Sequence, residues 1–286
     1  MADDSANGRA DSHVASPHPG WRVPIDVVTM AFGLSIWVVC GLLLTVFGFI
    51  TYRMIPRESG KHLGQRMISG VFRFFINYLR FTDLLRLDAE SLNALREGRI
   101  SPGILAPNHL ALWDAVFLIG ACPRSVCVMK DSILRNPLLG GGARLAGFIS
   151  NEPRSRMLRD AIQAIRSGDT LILFPEGTRT RSDELLVNPL KGGCGIIACQ
   201  AGASVCPVFI RNSSRFLEKG WPPWRKPAFP VHVAIELGEP LVPLENETPQ
   251  EFTARLQAVF ETELARPHPL KRIPAGNRES TSSTAP

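Results

Sequence analysis

A chain of 286 residues, 45% apolar and 20% charged, has the composition of a folded protein and the length for one good-sized domain with appendages. Its net charge of +6 suits an anionic partner, whether a membrane surface, a phosphate-bearing small molecule or nucleic acid. The six cysteines form no CxxC pair and lie near no histidine cluster, which argues against a zinc site or a disulfide framework and for buried thiols in a reducing compartment.

In chain order, residues 1–24 are rich in Asp, Ser, Ala, Pro and Gly without apolar periodicity and read as a disordered tail. Residues 25–52 follow as a membrane anchor: from Val27 to Tyr52 there is no charged side chain, and about 20 apolar residues suffice to cross the hydrocarbon core. The polar lead is long and no small-residue cleavage site follows, so the segment reads as an uncleaved anchor rather than a signal peptide. A half-inserted, monotopic helix is the alternative. Arg53, Arg57, Lys61 and Arg66 follow the segment while only Arg9 and Arg22 precede it, which places the remainder on the cytoplasmic face.

Residues 53–82 read as a basic amphipathic membrane-surface helix, in which Ile68, Val71, Phe72, Phe74, Phe75, Tyr78 and Leu79 alternate with Arg66, Arg73 and Arg80. An ordinary core helix would show the same pattern. Residues 83–264 then alternate short apolar runs with helix-like stretches, the texture of an α/β domain with a mainly parallel central sheet flanked by helices. Strands are predicted at 104–107, 126–129, 147–150, 170–175, 204–210 and 231–237, and helices at 112–119, 156–167, 193–201 and 249–264. Residues 265–286 read as a second disordered tail.

Chemistry concentrates at two strand ends. His109 follows the strand at 104–107, where a near-neutral imidazole can take a proton from a hydroxyl, and Asp114 stands where it could fix the tautomer. Alone, the pair could as well be structural or metal-ligating. The strand at 170–175 ends in Glu176, Gly177, Thr178 and Arg179, a turn offering backbone amides, a hydroxyl and a planar guanidinium suited to phosphate. Lys191 precedes an apolar helix and Lys130 follows a strand, each a further positive contact for an anion.

His109 through Asp114 resembles the HxxxxD signature of the glycerolipid acyltransferases, the group that includes 1-acylglycerol-3-phosphate acyltransferase. Phe174 to Arg179 resembles that family's Phe-Pro-Glu-Gly-Thr-Arg block, with order and spacing in agreement. Gly147-Phe148-Ile149 followed by Arg154, and the apolar run at 205–208, match two weaker blocks, so the resemblance extends over residues 67–241.

The resemblance implies direct acyl transfer. His109 would be the general base oriented by Asp114, and Glu176, Gly177, Thr178, Arg179, Lys130, Arg154 and Lys191 would hold substrate. The donor would be acyl-CoA or acyl carrier protein, with no cofactor and no metal. The acceptor would be a membrane lysophospholipid, with 1-acylglycerol-3-phosphate giving phosphatidic acid. A lipid hydrolase using the same His and Asp, another acceptor such as an ornithine-type lipid or a pigment-like alcohol, and a non-catalytic phospholipid-binding membrane protein are the rivals. No Gly-x-Ser-x-Gly elbow supplies a serine nucleophile. The basic excess is spread along the chain without a reader motif, which argues against nucleic acid.

Overall fold

A computed structural model of the protein describes residues 18–54, 56–100, 103–136, 140–181, 185–214, 216–221 and 227–270. Most of both expected tails lies outside these residues. The chain begins with α1 (Val23–Met54) and α2 (Arg57–Phe81), followed by β1 (Leu85–Asp88), α3 (Leu92–Arg96), β2 (Ile104–Pro107) and α4 (Asp114–Ala121). Next come β3 (Ser125–Met129), α5 (Asp131–Leu134), α6 (Gly140–Leu145), β4 (Ile149–Ser150), α7 (Arg154–Arg166) and β5 (Thr170–Ile172). The chain closes through α8 (Gly193–Ala201), β6 (Val205–Asn212), β7 (Val231–Leu237) and α9 (Pro249–Ala265).

The strands form one sheet in the order β1-β7-β6-β2-β5-β3-β4. β6, β2, β5, β3 and β4 are parallel; β7 runs antiparallel to β6, and β1 pairs parallel with β7. The five-strand parallel block brings the carboxyl ends of β2, β5, β3 and β4 to one edge, where ligands of open α/β sheets bind. Side chains alternate across the sheet with period two. On β2, Leu105 joins a core shared with α1, α2 and α4, while Ile104 and Ala106 join one shared with α7, α8 and α9. Each face of the sheet is therefore covered by its own helical layer. α9 starts on a capping box, in which the Thr248 hydroxyl accepts from the Glu251 amide and the Glu251 carboxylate accepts from the Thr248 amide.

α1 is long and apolar enough to cross a membrane, by length and composition. It exposes Val28, Phe32, Val39, Leu43 and Ile50 along one side. Its other side is docked. A Cβ on Gly141 of α6 would lie 2.5 Å from the Thr45 Cα, so the two helices meet at backbone distance and only glycine fits there. Trp37 stacks on Phe75 of α2 at 5.9 Å between ring centroids, and the Tyr78 hydroxyl donates to the Thr29 carbonyl at 2.7 Å.

The start of α1 is built rather than loose. His18 bridges two carboxylates, with Nδ1 2.8 Å from Asp26 and Nε2 3.1 Å from Asp83, and its amide donates to the Phe229 carbonyl at 2.7 Å. The expected 1–24 tail is corrected from His18 onward.

α2 starts ten residues before the periodic stretch at 67–81 and buries Ile68, Phe75, Ile76 and Leu79 in the core, where its apolar stripe meets α4 and α6. Arg66, Arg73 and Arg80 remain exposed, with Phe74 and Phe81 beside them. Near its start, Lys61 Nζ pairs with the buried Asp169 at 2.5 Å, and Gln65 Nε2 donates to the same carboxylate at 3.2 Å.

Candidate active site

β2 carries the chain from the core to the sheet edge and releases it at Asn108. That residue is fully buried and clamps the strand end to β6: its Nδ2 donates to the Ile210 carbonyl at 3.0 Å and its Oδ1 accepts from the Ile210 amide at 2.7 Å. His109, next along, is thereby aimed out of the sheet. Its Nδ1 donates to Asp114 Oδ2 at 3.1 Å, and the same oxygen accepts the Ala111 amide at 2.8 Å. Asp114 opens α4 and is wholly buried, with Oδ1 bonded to no described residue. A carboxylate held there fixes the imidazole tautomer with the proton on Nδ1 and leaves Nε2 as the acceptor. Nε2 makes no hydrogen bond with the described residues, the ring packs on Phe174 at 4.1 Å, and His109 lines a cavity of about 700 Å³.

The turn after β5 interlocks with the His109 loop through Glu176. The sequence reading placed Glu176 among the substrate contacts; the structure corrects this. Its carboxylate is 1% exposed and does not line the cavity. Instead Oε1 accepts the His109 amide at 2.7 Å, Oε2 accepts the Asn188 amide at 2.9 Å, and the Thr180 hydroxyl reaches both oxygens at 2.9 and 2.8 Å. Burial outweighs these bonds and holds the carboxyl above the ordinary glutamate value. The Thr180 amide in turn donates to the His109 carbonyl. Glu176 faces inward because Thr180 and Asn188 both bond to its carboxylate, an arrangement no local pattern in the sequence signals.

Gly177 adopts φ +66°, a backbone conformation that favours glycine, and it lies against the Lys191 side chain, whose Nζ would stand 2.7 Å from a Cβ built there. Gly177, Thr178, Arg179, Lys191, Lys130 and Arg154 all line the same cavity as His109. Lys130 follows β3 and Arg154 opens α7 just after β4, and the two strand ends are joined where Asn151 Oδ1 accepts the Asp131 amide at 3.0 Å. Lys219, from the β6–β7 connection, is a fifth cation that sequence reading missed. No aspartate or glutamate is among the described lining residues. Inward, the walls turn apolar, with Trp37 and Leu44 of α1, Ile68 and Phe72 of α2, Val116 of α4 and Ala143 of α6. A cavity of this size, cationic at its mouth and apolar within, is shaped for an amphiphile with an anionic head.

The acyltransferase family model matches residues 87–211, the stretch from β1 through most of β6 that carries both strand-end motifs. Residues 87–211 are an acyltransferase-family domain. Over 146 residues the chain is 39% identical to a lyso-ornithine lipid O-acyltransferase of Rhodobacter capsulatus, covering 46% of this chain and 50% of that protein. It is 34% identical over 125 residues to a 1-acyl-sn-glycerol-3-phosphate acyltransferase of Borreliella burgdorferi, covering 41% and 48%. With the Salmonella typhimurium protein of the latter name it shares 29% identity over 190 residues, covering 64% and 73%. The chain thus spans about half the length of the first two relatives. The crystal structure of the 1-acyl-sn-glycerophosphate (LPA) acyltransferase from Thermotoga maritima superposes with a TM-score of 0.62 at 23% identity, covering 86% of this chain and 99% of that one. That likeness extends the shared fold beyond the acyltransferase domain to most of the chain.

Proposed function

We propose that the protein transfers a fatty acyl group from an acyl-CoA or acyl carrier protein thioester to the free hydroxyl of a lysophospholipid, with 1-acylglycerol-3-phosphate as acceptor and phosphatidic acid as product. The reading is carried by one juxtaposition. The unbonded Nε2 of a histidine backed by a buried carboxylate opens into a cavity whose mouth is cationic and whose interior is apolar. His109 Nε2 takes the hydroxyl proton as the oxygen attacks the thioester carbonyl, and returns it to the leaving sulfur. Asp114 stabilises the intervening imidazolium. Holding both substrates at this edge converts a bimolecular encounter into one within the site.

The charges favour a phosphate head. An ornithine head carries an ammonium beside its carboxylate and would call for an acidic partner, whereas the charged side chains among the described lining residues are all basic. The name of the Rhodobacter relative makes lyso-ornithine lipid the second reading.

α1 fits a role at the membrane as part of the enzyme wall. Because Gly41, Leu44 and Thr45 face the domain while the opposite side exposes large apolar residues, the helix can embed one face in the cytoplasmic leaflet while the other roofs the cavity. An acceptor then enters from the bilayer without passing through water.

Purified full-length protein in mixed micelles, given radiolabelled acyl-CoA or acyl carrier protein with separate acceptors, tests the proposal. Labelled phosphatidic acid formed in preference to acylated ornithine lipid or lysophosphatidylethanolamine is the expected result. Release of free fatty acid without need of an acceptor would instead assign a hydrolase.

A further inference from the structure

The β6–β7 connection approaches the catalytic edge from the side of β6, opposite β3 and β4 in the strand order. One of its carbonyls ties it to two parts of the site. Leu217 adopts φ +64°, and its oxygen accepts both Arg179 Nη1 at 2.8 Å and the Leu112 amide at 3.3 Å. The connection therefore grips the guanidinium of the β5 turn and the backbone between His109 and Asp114 at once. Phe216 adds an edge contact to Trp113 at 5.2 Å between centroids. The next two residues part company: Glu218 is buried and lines a separate small cavity with Asn108 and Asn212, whereas Lys219 is exposed and lines the large cavity with His109. The turn thus removes its negative charge from the site and delivers its positive one. The Lys219 ammonium is bonded to no described residue.

Position also indicates which substrate this cation meets. Leu112, gripped by the same carbonyl, is 52% exposed and lines the cavity, marking an apolar lip suited to lipid. Lys130 and Arg154 stand beyond β5 on the far side of His109. A transfer at Nε2 brings two substrates together, and Lys219 comes from the segment that also holds the apolar lip and Arg179. We propose that Lys219 is a specificity-determining residue of the acceptor site, supplying with Arg179 a second cation to the phosphate of the lysophospholipid head. This rests on the proposed acyltransferase reading and assigns one residue within it.

The test compares wild type, Lys219→Glu and Lys219→Arg as full-length proteins in mixed micelles. Kinetics are measured with lysophosphatidate, and micelle binding with lysophosphatidate and with zwitterionic lysophosphatidylcholine. Lys219 is exposed, so all three should share a thermal midpoint. Reversing the charge should raise KM for lysophosphatidate by about tenfold or more, leave kcat and the donor KM within about twofold, and be largely avoided by arginine. An unchanged acceptor KM, or a rise confined to the donor, would overturn the assignment while leaving acyl transfer in place. Should wild type acylate no lysophospholipid, the functional reading falls and binding alone decides Lys219. Loss of the preference for the phosphate lipid in Lys219→Glu would uphold its role, and equal preference in both proteins would refute it.

Discussion

Glu176→Gln offers a demanding test of how the site is held together, because the change is nearly isosteric and touches no substrate. In the native protein each carboxylate oxygen receives one backbone amide, His109 on Oε1 and Asn188 on Oε2, with Thr180 shared between them. A glutamine has one oxygen to offer. Whichever way its amide is turned, its NH2 group meets either the His109 or the Asn188 N–H, leaving a buried donor without an acceptor at a cost of about 1–3 kcal/mol. At about 2 kcal/mol the thermal midpoint should fall by roughly 4–8 °C. The displaced His109 backbone should lower kcat/KM by about tenfold to a hundredfold, a tenfold loss corresponding to about 1.4 kcal/mol. The pH dependence has a definite sign. Burial raises the Glu176 value above its ordinary 4.5, so the folded protein retains a proton that the unfolded chain has released, and stability falls as pH climbs from there through the raised value. The glutamine variant should lack that slope. Thermal melts from pH 4 upward, with initial rates at neutral pH, provide the readout; wild-type melting together with activity within twofold would refute the brace.

Two further substitutions probe the layers around the site. Lys61→Ala leaves the buried Asp169 with Gln65 and a distant Arg124 at 3.7 Å, and should destabilise the protein by about 3 kcal/mol, seen as a lower thermal midpoint with turnover per folded molecule retained. Cys127 and Cys194 both line the cavity, but burial pushes each thiol up to about 12, so neither is a thiolate nucleophile at neutral pH. Iodoacetamide at neutral pH should leave turnover intact, and acid quenching should trap no labelled acyl group on the protein; a covalently labelled chain would contradict direct transfer.

Much of this architecture is legible in the sequence where the signal is local. β2 and β7 fall on the predicted residues because each is a short apolar run between turn residues, and α8 does so because glycines bracket it. β1 went unread: Leu85-Arg86-Leu87-Asp88 alternates, but four residues beside a helix give little periodic signal. α6 was unreadable for the opposite reason, since Gly140-Gly141-Gly142 opposes helix by propensity and is helical because only glycine lets α6 touch the backbone of α1. The predicted strand at 170–175 stops at Ile172, where the chain leaves the sheet for the active-site turn.

The site divides in the same way. His109, Asp114 and the β5 turn stand at strand ends that the sequence marks, and the parallel sheet brings them to one edge. The inward aim of Glu176 depends on Asn188, distant along the chain and joined to it only by loop closure. Lys219 reaches the cavity through the β6–β7 connection, whose approach is set by the Leu217 carbonyl and has no periodic signature.

The proposed reaction turns on one imidazole nitrogen that moves the acceptor proton. Pre-steady-state transfer from a labelled acyl thioester to lysophosphatidate, followed in wild type and in His109→Ala, addresses it directly. Removing a general base should slow the chemical step by about a hundredfold to ten-thousandfold while acceptor binding and the thermal midpoint hold. A variant that forms phosphatidic acid at the wild-type rate would contradict the account.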